Sequence, residues 1–172
     1  SLDPLTNETE ILAKGLPKEN FYMAPDEKSV FFSSKETITA TSPAGLKRLV
    51  GIDDRQTNYR DRYFLYRHLF DTGLTQQLTF GKHTASLNDV TEDVKHLLFT
   101  TTEEDLTDRP FRKNSLFMLN LETMSVDTIW KDQTYIYSAQ FSPDNKKLLL
   151  HGAPEAFNGI GLNISANQIA NS

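Results

Sequence analysis

Apolar and polar residues alternate in short bursts along this chain, and three of the bursts repeat one another. Phe21-Tyr22-Met23 runs into Ala24-Pro25-Asp26-Glu27-Lys28 and then Ser29-Val30-Phe31-Phe32. Ser86 to Asp89, a turn around Asp93, and His96-Leu97-Leu98-Phe99 form a second copy. Ala139-Gln140-Phe141, Ser142-Pro143-Asp144 and then Lys147-Leu148-Leu149-Leu150 form a third. Each reads as a short strand, a tight polar turn built on Asp, and a second strand of apolar and β-branched residues.

The register extends beyond these segments. Asp26, Asp93 and Asp144 occupy equivalent turn positions, 67 and then 51 residues apart. The same separations carry Ile11 onto Leu78 and Ile129, and Met23 onto Val90 and Phe141. The shorter one sets the Asp71-Thr72-Gly73 hairpin opposite Glu122-Thr123-Met124. The first interval is longer by 16 residues, and the excess is expected between Ser33 and Tyr63, where the sequence turns polar. A β unit repeated at this scale predicts a propeller. The expected fold class is all-β: a partial β-propeller of about two to three four-stranded antiparallel blades.

As organisation, residues 1–172 read as one partial propeller domain. Residues 1–33 end one blade and start the next, with a turn near Asp3-Pro4 and a strand over Thr9–Leu12. Residues 34–62 form a long insertion with weak strand character at Leu49-Val50. Residues 63–101 and 115–151 are repeated blade units, and 152–172 an irregular tail. In the strand from Tyr63, Phe64, Tyr66, His68 and Phe70 share one face, and Leu65 and Leu69 the other. Thr102 to Asn114 reads as a charged loop. Two and a half blades cannot close a ring, and open edges expose backbone donors and acceptors. The expectation is a fragment of a larger protein, with an edge-to-edge homodimer as the other solution.

Composition narrows the classes. The chain is 38% hydrophobic and 24% charged, which is globular. Its net charge of −5 argues against nucleic acid as a main partner. The absence of cysteine excludes disulfides and thiolate zinc sites. No apolar run reaches the ~18 residues that span a membrane. Ser1-Leu2-Asp3-Pro4 reads as mid-fold sequence, so no signal peptide is expected within the chain.

Several side chains are candidates for chemistry. Glu103-Glu104-Asp105 could capture a peptide amine, or simply be a solvated acidic loop. Asp53, Asp54, Arg55, Arg60, Asp61 and Arg62 form a mixed-charge cluster. Its arginines suit a substrate carboxylate or a docking domain, and a local ion-pair network is the simpler reading. His68, His83, His96 and His151 fall on unmatched repeat positions and do not suggest a metal or a general base. Trp130, Tyr135 and Tyr137 are expected to pack between blades rather than to form a ligand platform.

The runs Asp53-Asp54-Arg55-Gln56, Tyr59-Arg60-Asp61-Arg62, Thr72-Gly73-Leu74 and Leu78-Thr79-Phe80-Gly81 carry a further signal. With Phe141-Ser142-Pro143-Asp144 and the segment from Gly152 to Gly161, they resemble the N-terminal propeller of bacterial serine peptidases of the prolyl oligopeptidase and dipeptidyl peptidase IV family. The Ser-Pro-Asp turn is shared with other propellers, WD40-like and periplasmic TolB-like ones included.

The resemblance implies a two-part, periplasmic or secreted enzyme. A propeller covers an α/β-hydrolase domain and admits short peptides, and no cofactor is needed. The hydrolase domain holds a Ser-Asp-His triad with the Ser in a Gly-x-Ser-x-Gly elbow. No serine here lies between two glycines at that spacing, so this chain is expected to hydrolyse nothing alone. The implied partners are a peptide substrate and the missing blades and hydrolase domain of the parent. Arg55, Arg60, Arg62, Glu103 and Glu104 are the candidate substrate contacts; Asp26, Asp93 and Asp144 are structural markers. Two other functions compete: a TolB-like interaction scaffold without peptidase activity, and a small β domain completed by dimerisation.

Overall fold

The computed structural model describes residues 5–17, 20–37, 61–104, 107, 109 and 111–157, and the backbone of 166–171. The strands are β1 (Phe21–Met23), β2 (Ser29–Thr37), β3 (Asp61–Leu69), β4 (Thr75–Gln77), β5 (Thr84–Val90), β6 (His96–Glu104), β7 (Arg112–Asn120), β8 (Val126–Gln133), β9 (Ile136–Phe141), β10 (Lys147–Gly152) and β11 (Ala166–Asn171). They form three sheets, ordered β1-β2-β3-β4, β5-β6-β7-β8 and β11-β10-β9. All pairings are antiparallel, and neighbours in sequence are neighbours in space. This is the all-β partial propeller that the repeat predicts.

The three Asp turns are one turn built three times. β1, β5 and β9 end at Met23, Val90 and Phe141, and β2, β6 and β10 begin at Ser29, His96 and Lys147. Each offset falls on the predicted register. The residue after each Asp adopts a left-handed backbone, with φ of 57° at Glu27, 54° at Val94 and 57° at Asn145. Each Asp accepts the amide two residues on, at 3.0 Å from Lys28, 3.2 Å from Lys95 and 3.2 Å from Lys146. This Asx bond supplies an acceptor within the turn and closes it locally. The second hairpin repeats too: Gly73 and Met124 both have positive φ, and their amides bond the carbonyls of Leu69 and Asn120.

The insertion lies where the register requires it. Between β2 and β3 there are 23 residues, against 7 between β6 and β7.

Two apolar clusters separate the sheets. Phe31, Leu65 and Leu78 of the first sheet meet Val90, Leu97, Phe99 and Leu119 of the second. Leu98 and Leu116 of the second meet Ala139, Leu148 and Leu150 of the third. Leu97 and Leu98 are adjacent in sequence, fully buried, and serve opposite interfaces. A stacked aromatic pair recurs at equivalent positions, Phe32–Tyr66 at 5.5 Å and Phe99–Phe117 at 5.2 Å.

One carboxylate crosses both interfaces. A bulge between Leu87 and Asp89 interrupts β5. Asp89 accepts the Phe141 amide of β9 at 2.8 Å and the amide of Val90 at 2.9 Å. It also bonds the Tyr22 hydroxyl of β1. Burial first, then the charges of Asp89 and Glu92, raises the pKa of that phenol.

Some expectations are corrected. The loop expected over Thr102–Asn114 is largely strand, because Thr102 bonds Asn114 at 2.9 Å and Glu104 pairs with Arg112 across the ladder. The expected strand Thr9–Leu12 reduces to a single bridge at Thr9. The tail supplies β11, which pairs with β10 from Lys147 to Gly152; a backbone ladder needs no apolar pattern to form. Tyr135 and Tyr137 are exposed rather than packed between blades, whereas Trp130 packs on the second cluster. Asp3-Pro4 and Leu49-Val50 lie outside the described residues.

Asp89→Ala should cost about 2 kcal/mol, the loss of hydrogen bonds to a charged acceptor. Thermal melting followed by circular dichroism should show a midpoint lower by roughly 4–8 °C; an unchanged midpoint removes the tie from the account. The turns also predict an acid limb. Hydrogen bonds from the Thr91 hydroxyl and then the Lys95 amide hold the Asp93 carboxyl below its usual range, and the Ser142 hydroxyl and Lys146 amide do the same for Asp144. Depressed values mean stabilisation that is complete above the unfolded pKa of about 3.9 and lost as pH falls through the lower folded value. An Asp93→Asn, Asp144→Asn double variant should therefore lose less stability to urea between neutral pH and about pH 2.5 than the parent; an equal loss contradicts this.

Candidate functional site

Antiparallel pairing sorts the connections onto two faces of the molecule. The Asp turns and the Gly73 and Met124 hairpins lie at one end of the sheets. Thr37 pairs with Asp61, Thr84 with Thr102 and Glu104 with Arg112 at the other end. Both long connections, β2–β3 and β6–β7, leave from there, as does the β4–β5 link.

A cleft of about 500 Å³ opens at that second end, between the first and second sheets. β3 contributes Asp61, Arg62 and Tyr63, and the β4–β5 link Lys82 and His83. β5 contributes Thr84, β6 Thr102, Glu103 and Glu104, and β7 Arg112. Basic and acidic side chains alternate around it. Arg112 pairs with Glu104 at 2.9 Å, and Lys35 pairs with the largely buried Asp61. Arg62 donates to the carbonyl oxygens of Lys82 and Asp61. The hydroxyls have structural partners: Thr84 accepts the Tyr63 amide at 3.4 Å, and Thr102 donates to Asn114 at 2.9 Å. Such a cleft can bind and orient a ligand carrying both charges.

The cleft brings together three sequence candidates, Arg62, Glu103 and Glu104, from two sheets. Glu103 and Glu104 end a strand rather than standing in a loop. Arg55 and Arg60, with Asp53 and Asp54, lie outside the described residues. Asp26, Asp93 and Asp144 sit at the far end, as turn formers. Tyr63, Lys82, Thr84, Thr102 and Arg112 were not singled out from the sequence. The repeat offered a signal for one of them, since the 51-residue offset sets Asp61 on Arg112.

The histidines are dispersed. His68 bonds Thr75 at 2.8 Å, His96 bonds Asn120 at 3.3 Å, and His151 packs edge-on against Tyr137. Among the described residues no cluster of three or more His, Asp or Glu could hold a metal. Among the same residues no helix is long and apolar enough to cross a membrane.

Meandering antiparallel sheets stacked face to face through one repeated turn define part of a β-propeller. Known structures share it. TolB from Acinetobacter baumannii aligns with a TM-score of 0.55 at 18% identity, over 99% of this chain and 36% of that one. A putative TolB from Agrobacterium tumefaciens aligns at 0.51 and 16% identity, over 93% and 47%. The tricorn protease aligns at 0.53 and 9% identity, over 78% of this chain and 11% of its own. At these identities the likeness is one of fold. The chain spans less than half the length of each of these proteins. No family model matches the chain, and no curated protein matches its sequence.

The two ion pairs should differ in worth. Arg112→Met breaks an exposed pair and should change stability by less than about 1 kcal/mol. Lys35→Met removes the partner of a mostly buried carboxylate and should cost more. Urea denaturation of both variants measures this, and the reverse order contradicts the assignment of Asp61 as buried.

Proposed function

We propose that this chain is the non-catalytic propeller portion of a serine exo- or oligopeptidase, gating short peptides toward a separate α/β-hydrolase domain. The observation that carries the reading is the mixed-charge cleft. A short peptide with free ends presents an ammonium and a carboxylate. Arg62 and Lys82 suit the carboxylate, and Glu103 suits the ammonium. The 23-residue insertion springs from the rim of the same cleft, which is where a gate would need its extra chain. The fold shared with the tricorn protease is compatible with this role. We place the parent protein in the periplasm or outside the cell.

The chain itself should release no product from Xaa-Pro or Ala-Ala reporter peptides and should take up no serine-directed label. Turnover or labelling would show that catalysis resides here. Reading the gene that encodes the chain tests the gating role. A Gly-x-Ser-x-Gly elbow in a following hydrolase domain is expected. A frame that adds only further sheets and then stops would instead support a TolB-like interaction scaffold.

A further inference from the structure

We propose that two copies of this chain close one ring of six sheets. The outward face of the first sheet of each copy packs on the outward face of the third sheet of the other. The inference does not depend on the peptidase reading.

The repeat carries the argument, because the chain builds the same interface twice within itself. Phe31 and Leu65 of the first sheet face the second. Their equivalents, Leu98 and Leu116 of the second sheet, face the third. The next equivalent of Phe31 and Leu98 is Leu149 on β10, and it is 38% exposed. The receiving side repeats as well. Val90, Leu97 and Phe99 pack toward the first sheet, and Phe141, Leu148 and Leu150 toward the second. On the first sheet the equivalents are Met23, Val30 and Phe32, with Phe21 alongside; Met23 and Phe21 are each 48% exposed. The first and third sheets thus present the two complementary halves of one interface.

The offsets also fix the contact. Leu98 sits with Ala139, Leu148 and Leu150. Transferring that group by the repeat sets Leu149 of one copy among Phe21, Val30 and Phe32 of the other. Ring size fixes the number of copies. Propellers close with about 4–8 blades. One copy supplies three sheets, too few; three copies would supply nine, too many; two supply six. A two-fold axis makes both contacts at once, so no face is left to recruit a further copy.

Light scattering on the full chain tests this. The expected mass is twice the 19.5 kDa of one chain. Phe21→Glu and Leu149→Glu alter residues already exposed in the single chain, so each should keep the parent's circular dichroism. Each should nevertheless halve the measured mass. Val126→Glu, at a residue 50% exposed on the middle sheet, should leave the dimer intact. A monomeric parent chain overturns the proposal, as does an open series of larger oligomers. A folded Phe21→Glu or Leu149→Glu variant that stays dimeric overturns it as well, since that face then lies outside the contact.

Discussion

Val30-Phe31-Phe32, Leu97-Leu98-Phe99 and Leu148-Leu149-Leu150 put apolar side chains on both faces of β2, β6 and β10 at once. A sheet built on such a strand exposes oil to water unless a neighbour covers each side. Stacking is the outcome, and the stacked interfaces hold most of the buried leucine and phenylalanine. Burying one Leu or Phe side chain contributes about 1.5–3 kcal/mol, against roughly 0.5–1.5 for a net hydrogen bond. Packing therefore holds the sheets together, and the Asp turns set which residue meets which.

The turns and the packing act on different ends of the same object. Each Asp turn fixes where its second strand begins, and so which of two adjacent leucines faces which neighbour. The opposite end is released from that duty. There the connections vary in length, from 7 residues to 23, and charged side chains gather. A rigid repeated scaffold with variable loops at one end is a common way to position a binding site. Asp89 links the two levels, since its carboxylate reaches β1 and β9 from the bulge in β5.

The fold was legible because the repeat is a matter of spacing, and spacing survives divergence of the individual residues. Asp26, Asp93 and Asp144 located the turns to the residue, and with them the length of the insertion. Strand ends were less visible. Thr102, Glu103 and Glu104 look like loop residues, and only the cross-strand partners Asn114 and Arg112 show why the ladder continues. β11 was hidden for a similar reason, since its ladder with β10 uses backbone groups that every residue carries. The cleft was half visible. Arg62, Glu103 and Glu104 drew notice by charge, but their convergence depends on which ends of β3 and β6 lie together, and that needs the pairing.

Everything rests on Leu97 and Leu98, neighbours in sequence, serving different sheets. Methyl nuclear Overhauser contacts in the folded chain measure this directly. The account predicts contacts from Leu97 to Phe31 and Leu65, and from Leu98 to Ala139 and Leu148. Contacts from both methyl groups to the same sheet would contradict it.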